Sequence, residues 1–184
     1  MKTTLTPTPL EGLVVVDIDF FEDDRGFFIE SWNRRDFADA GLDQTFVQDN
    51  HSLSQQGVVR GLHYQDGTEP LAKLVRCTRG QIFDVAVDIR AGSETFGRWF
   101  GLELSADNKR QLWISAGFAH GFATLSPETE VQYKQTAFYS PESEGGLPWD
   151  DPDIGIDWPV DVPLLSARDR KHPSFADYRL SPVF

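Results

Sequence analysis

In the stretch GVVRGLHYQ, residues 57–65, an arginine and a histidine stand three positions apart, Arg60 and His63, with Gly61 between them. An imidazole titrates near neutral pH and can take or return a proton, and a guanidinium grips phosphate or carboxylate with two parallel hydrogen bonds. The surrounding residues have strand character, and a regular strand would send positions 60 and 63 to opposite faces. A glycine inside a strand marks a bulge or a close backbone approach. A bulge at Gly61 is therefore expected to turn both polar side chains to one face, which is useful only if that face is a site.

The chain carries 17 Lys and Arg against 29 Asp and Glu, a formal net charge of −12. That balance argues against nucleic acid and membrane surfaces as partners. A small anionic substrate would need local cations that override the global field, which singles out Arg25, Arg60, Lys73 and Arg168. In AKLVRCT a period of two puts Lys73, Val75 and Cys77 on one face, consistent with an inward-pointing amine. In QIFDVAVDIR the face Gln81, Phe83, Val85, Val87, Ile89 is nearly all apolar, and Asp84 shares the other; Asp84 is expected to face the pocket and offset Lys73 or Arg60. Of the four histidines, His51 and His172 read as surface or turn residues, and His120 as a partly buried turn residue. His63 fits either a core position or a site.

The elements that must position these groups are mostly strands. LVVVDIDFF, GFFIESW, QTFVQDNHSLS, GVVRGLHYQ, AKLVRCT, QIFDVAVDIR, RWFGLEL, RQLWIS, GFATLS and EVQYKQTAFY are short, rich in β-branched and aromatic residues, and broken by turn residues. That pattern points to a sandwich or barrel. One helix is expected at NRRDFADAGL, with Asn33 as N-cap and Gly41 at the C-terminal cap, and a second short one near the C-terminus. The proline- and aspartate-rich stretch LPWDDPDIGIDWPVDVPLLSARDRKHP cannot hold long strands, yet Trp149, Ile154, Ile156, Trp158 and Leu165 are anchors that should pack it over the body of a barrel, or across its mouth. The length of 184 residues suits one domain, 1–184. The single cysteine, Cys77, suggests a reducing compartment, and no stretch approaches the roughly 18 apolar residues of a membrane span. With MKTTLTPTPLEGL lacking the apolar run of a signal peptide, a soluble cytoplasmic protein is expected, with no membrane partner.

GVVRGLH and AGFAHGF resemble the two half-motifs of a cupin, with His63 and His120 at the matching positions. A metal-binding cupin would want a histidine where Gln65 stands, although Glu69 falls where a carboxylate is expected. His63, Glu69 and His120 could hold a metal, but Arg60 and Lys73 would repel a divalent cation, so no metal and no cofactor are expected. A more specific likeness runs through nearly the whole chain. DDRGFFIESW, FVQDNHSLS, VVRGLHYQ, AKLVRCTRGQIFDVAVDIR, GFAHGF, VQYKQTAFYSPESE and WDDPDIGIDWP with LLSARD, in this order, resemble the dTDP-4-dehydrorhamnose 3,5-epimerase family. Ser115 is a departure, since the family usually has proline there.

The resemblance implies a mainly β, cupin or jelly-roll barrel with a few short helices and the proline-rich C-terminal segment packed on it. It implies epimerisation of dTDP-4-dehydro-6-deoxy-glucose at C3 and C5 through an enolate. It assigns His63 as base, Asp169 as its partner, Lys73 beside the developing O4 charge and Tyr133 as proton donor. It assigns Arg25, Glu30, Gln48, Asn50, Arg60, His120 and Glu144 to substrate contacts, Tyr139 to stacking on thymine and Arg168 to phosphate or sugar. A homodimer is implied in which an N-terminal strand crosses to the partner and lends Arg25 and Glu30 to its site. Competing readings are a mono-epimerase of another deoxysugar pathway, a metal-dependent cupin oxygenase, and a non-catalytic sugar-nucleotide-binding module.

Overall fold

The computed structural model describes residues 1–67 and 70–184, so Glu69 lies outside the described residues. In chain order the elements are β1 (Thr3–Pro7), β2 (Leu13–Ile18), β3 (Phe21–Asp23), β4 (Gly26–Phe28), α1 (Arg34–Ala40), β5 (Gln48–Gln55), β6 (Val59–Gln65), β7 (Lys73–Arg79), β8 (Gln81–Asp88), β9 (Trp99–Ser105), β10 (Gln111–Ile114), β11 (Phe118–Thr124), β12 (Glu128–Gln135), β13 (Glu144–Gly146) and α2 (Phe175–Tyr178). A six-stranded antiparallel sheet runs β1-β2-β10-β7-β12-β5, and a five-stranded one runs β13-β6-β11-β8-β9. The two face each other as a cupin-like β-sandwich. The β3–β4 hairpin stands apart from both.

Alternation along the strands explains the layers. Leu13, Val75, Leu112, Ile114 and Val131 from the six-stranded sheet meet Ile82, Ala86, Leu104, Phe118 and Phe122 from the five-stranded sheet in the central core. On the outer face of the five-stranded sheet, Val85, Val87, Ile89 and Ala119 are covered by Ile154, Phe175 and Tyr178, with Ile156 and Trp158 packed beside them. The apolar face of β8 is thus turned outward against the C-terminal segment, and Asp84 faces inward with Ile82 and Ala86. Most of that segment covers a sheet face, and its turn at Ser166, Arg168 and Asp169 reaches the cavity mouth. On the far side, Val16, Leu74 and Trp113 are covered by Phe37 of α1 and Leu42. Each fully buried valine, leucine, isoleucine or phenylalanine among these contributes about 1.5–3 kcal/mol.

Both helices lie where the sequence signals them. The Asn33 side chain accepts from the backbone N–H groups of Arg35 and Asp36, and Gly41 closes α1 in the left-handed conformation at φ 106°. Ser174 and Asp177 form a reciprocal capping box on α2. Two strands escape sequence reading. β1 is an edge strand containing proline, and β13, a Glu-Gly-Gly run, has no strand-forming residues.

Candidate active site

The strand that carries Arg60 and His63 is bulged as its glycine implies. His120 on β11 pairs with His63, but Phe122, two residues on, pairs with Arg60, three residues back, so β6 holds one extra residue between them. Gly61 takes φ 120°, and the Gly61–Leu62 peptide is cis. A methyl group on Gly61 would come within 2.6 Å of the Gly121 Cα and 2.7 Å of the His120 carbonyl oxygen, and one on Gly121 would come within 2.7 Å of the Arg60 carbonyl oxygen. Two glycines therefore let the backbones of β6 and β11 touch. The result is that Leu62 is buried on the outer face while Arg60 and His63 both line the cavity between the sheets.

That cavity has a volume of about 540 Å³. Gln48, Asn50 and Ser52 of β5, Lys73 of β7, and Tyr133 and Gln135 of β12 form one wall. Arg60, His63, His120 and Phe122 form the other, on β6 and β11. Tyr139, Glu144 and the turn Ser166–Arg168–Asp169 complete the rim. Every residue expected at the site is present here except Arg25 and Glu30. Arg25 sits exposed on the β3–β4 hairpin, paired with Asp23, and Glu30 accepts from Asn33 Nδ2 at 3.1 Å and lies 3.7 Å from the N-terminal amine.

His63 Nε2 and Asp169 Oδ1 are 2.6 Å apart. A contact this short between an imidazole nitrogen and a carboxylate requires a proton between them, so Nε2–H donates to Asp169 and Nδ1 keeps the free lone pair. Arg168 Nη2 stands 3.3 Å from the same Nε2 as a neighbouring charge. Burial lowers the His63 pKa from 6.5, with Asp169 opposing and Lys73 and Arg168 adding to the shift, so His63 is a neutral base at pH 7. Burial alone would raise the Asp169 carboxyl, but His172, His63 and Ser166 together hold it well below the usual carboxylate range.

Across the cavity, burial lowers the Lys73 amine from 10.5 to about 8, partly offset by Asp84 and Glu144. Part of the Lys73 residue is open to the cavity, so water moderates that burial. Burial also raises the Tyr133 phenol, which stays protonated and able to donate. The Lys73 Nζ lies 5.9 Å from the centre of the Tyr133 ring. Asp84, fully buried, hydrogen-bonds His120 Nε2 at 2.8 Å, and its Coulomb effect on Lys73 is the offset expected from sequence.

At the rim, Glu144 accepts from the Tyr139 hydroxyl at 2.8 Å and pairs with Arg168. Gln48 accepts from the Tyr139 backbone N–H at 3.0 Å and donates to Asn50 at 3.1 Å. Arg60 Nε donates to Ser54 Oγ at 3.1 Å. Among the described residues, the buried Ser52 Oγ and Gln135 Oε1 on the cavity wall have no hydrogen-bond partner, which suits a wall built for a polar ligand. Asp84, expected to face the pocket, lies fully buried behind His120 instead, with Oδ2 likewise unpartnered.

Two histidines depart from the sequence reading, His120 and His172. His51 is exposed as expected and pairs with Glu130 at 3.0 Å, whereas His120, expected in a turn, is buried on strand β11. His172, expected at the surface, lies edge-on to His63 with ring centres 5.6 Å apart and its Nε2 3.6 Å from Asp169 Oδ1. Its proximity to His63 arises from a turn distant in sequence, and no local signal marks it. His63, Asp169 and His172 bring three ligand-type atoms within 4.8 Å of one another. The proton shared at 2.6 Å and the Arg168 cation beside it oppose a divalent ion there.

The arrangement can remove a proton with a neutral imidazole on one sheet, stabilise the resulting oxyanion with a buried amine, and return a proton from a phenol on the other sheet. Comparisons with known proteins show which family the chain resembles. A family profile described as dTDP-4-dehydrorhamnose 3,5-epimerase matches residues 7–177. A dTDP-4-dehydrorhamnose 3,5-epimerase of Pseudomonas aeruginosa is 54% identical over 179 residues, covering 96% of this chain and 97% of the relative. A dTDP-4-dehydrorhamnose 3-epimerase of Streptomyces niveus is 39% identical over 176 residues, covering 95% and 85%. A solved dTDP-6-deoxy-D-glucose-3,5-epimerase from Legionella pneumophila, in complex with dTDP-4-keto-L-rhamnose, superposes with a TM-score of 0.87 at 46% identity, covering 91% of this chain and 90% of that one.

Proposed function

The chain belongs to the dTDP-4-dehydrorhamnose 3,5-epimerase family, and on that premise we propose how it moves the protons of a dTDP-4-keto-6-deoxy sugar. It is an isomerase that acts on dTDP-sugars. The protons on C3 and C5 of such a substrate are both acidified by the C4 carbonyl. His63 removes one through Nδ1, and Asp169 stabilises the imidazolium that forms. Lys73 stabilises the enolate oxygen at O4, and Tyr133 delivers a proton to the opposite face. Each acid–base step contributes roughly 10²–10⁴-fold. The observation that carries this reading is the 2.6 Å His63–Asp169 bond on one wall, facing Lys73 and Tyr133 on the other.

Arg60 and Arg168 take the diphosphate and sugar, and Tyr139, 49% exposed at the rim, offers its ring to the thymine. Gln48, Asn50, His120 and Glu144 complete the substrate contacts. The active unit is a homodimer with exchange of the β3–β4 hairpin. Phe21, Phe27 and Phe28 support this, since they are 70%, 57% and 65% exposed on an arm that carries Arg25 away from its own cavity. Incubation with dTDP-4-keto-6-deoxyglucose in deuterated water, followed by mass spectrometry of the sugar, tests the reading. Deuterium at both C3 and C5 is expected in the wild type and neither in His63→Asn; label at a single carbon would make the enzyme a mono-epimerase.

A further inference from the structure

His172 does not line the cavity and its side chain is only 12% exposed, yet it sits beside the two residues on which the base depends. Its ring occupies space that only a glycine leaves open. Gly146 of β13 pairs with His63 across the strands, and a methyl group on Gly146 would come within 2.4 Å of His172 Cε1 and 2.6 Å of both ring nitrogens. The imidazole thus lies flat on the backbone opposite His63 and meets the His63 ring edge-on at 73°. It is held from both ends. Lys171 N–H donates to the Arg168 carbonyl in the turn before it, and Ser174 caps α2 just after it. That helix is tied down by the Phe175 N–H bond to Asp151 Oδ2 at 2.7 Å.

His172 Nε2 is buried and has no hydrogen-bond partner among the described residues. It stands 3.6 Å from Asp169 Oδ1, the oxygen that accepts from His63. A buried ring nitrogen left without a partner costs stability, so its proximity to a carboxylate needs a reason. Catalytic hydrogen bonds are often long in the free enzyme and tighten once substrate is bound.

We infer that His172 is a positioning residue, whose Nε2–H acts as a second donor to Asp169 and whose ring edge sets the plane of His63. The inference rests on the proposed His63–Asp169 base pair. Two donors on one carboxylate oxygen keep it aimed at His63 while that imidazole gains and loses a proton. They also share its negative charge, so less of it acts on His63. The other groups facing His63 are Lys73 across the cavity, Arg168 with its partner Glu144, and His120 on β11. None of these is altered by a change at position 172.

The test compares His172→Phe, which keeps a ring but no donor, with His172→Gln, which returns an amide N–H near the Nε2 position. His172→Phe is expected to lose roughly ten- to hundredfold in kcat, the scale of one hydrogen bond to a charged group, with KM little changed. Its acid limb should move to higher pH, because the unshared carboxylate favours the imidazolium form of His63. His172→Gln should recover most of the rate and return the limb. A kcat and acid limb in His172→Phe equal to those of the wild type would overturn the assignment, as would a glutamine variant as impaired as the phenylalanine one. Nitrogen-15 NMR of the wild-type enzyme supplies a check that needs no variant, since His172 must carry its proton on Nε2; a bare Nε2 would also overturn it. His63→Asn run alongside separates the two failures: activity surviving there would refute the base assignment itself.

Discussion

His63 reaches the cavity as a neutral imidazole because burial acts against its charged form more strongly than Asp169 acts for it. Lys73 is the complementary case, a cation whose pKa burial has brought down to about 8. In the proposed mechanism, proton removal needs His63 uncharged and oxyanion stabilisation needs Lys73 charged. We therefore expect kcat/KM to fall as pH drops through a value below 6.5, and to fall again as pH rises through about 8. A profile flat through pH 8 would remove Lys73 from the chemistry. The same residue links activity to stability. Its folded pKa lies below the ordinary 10.5, so its charge is a cost to the fold that is complete below about pH 8 and fades as pH rises toward 10.5. Lys73→Met should stabilise the protein at pH 7 by on the order of 1 kcal/mol, allowing for cavity water, while lowering kcat by roughly 10²–10³. Urea denaturation at pH 7 and pH 10 measures the first effect, and the gain should shrink at the higher pH. Asp169 has the opposite sign: its depressed pKa contributes stability above the ordinary carboxylate pKa of 3.8, lost as pH falls further.

At the scale of the element, β6 shows which structural features can be read from a sequence and which cannot. Arg60, Gly61 and His63 announced the bulge, because alternation and glycine's freedom are local rules. Gly61→Ala should break it. The residue would be strained at φ 120° and its methyl group would meet the Gly121 backbone at 2.6 Å. The expected cost is at least about 1–3 kcal/mol, with kcat/KM falling steeply as Arg60 or His63 turns from the cavity. Gly57→Ala is the matched control. It has φ 81° but open space around its Cβ, so it should cost about 1–2 kcal/mol and leave the rate nearly intact. Asp84 and Lys73 were legible by the same alternation, and α1 by its caps. His172 was not, since nothing near position 172 records that the turn carrying it folds back onto β6. Nor was β13, whose strand conformation comes from pairing with β6 rather than from its Glu-Gly-Gly sequence. The roles of Asp169 and Tyr133 came from likeness to a family, because a lone aspartate in a turn and a tyrosine in a strand carry no signal of their own.

For the whole molecule, the decisive experiment concerns Arg25. If the β3–β4 hairpin crosses between protomers, each cavity combines His63 of one chain with Arg25 of the other. Arg25→Ala and His63→Asn should each be impaired alone. Dissociated and reassembled together, they should regain roughly a quarter of the wild-type activity, the statistical share of cavities with both groups intact. No recovery from chains shown to mix would return Arg25 to a purely surface role. Among the described residues no helix is long and apolar enough to cross a membrane. Phe21, Phe27 and Phe28 of the hairpin are exposed, and the proposed exchange would cover them. The His63–Asp169 bond has a further consequence, in the order of biosynthesis. Its partners are 106 residues apart. At about 5–20 residues per second, roughly 5–20 s of translation separates them. Lys73 and Tyr133 join the nascent chain within that interval, and Asp169 comes last of the four. On the proposed mechanism, catalytic competence therefore arrives only with the C-terminal segment, whose Phe175 and Tyr178 also cover the five-stranded sheet.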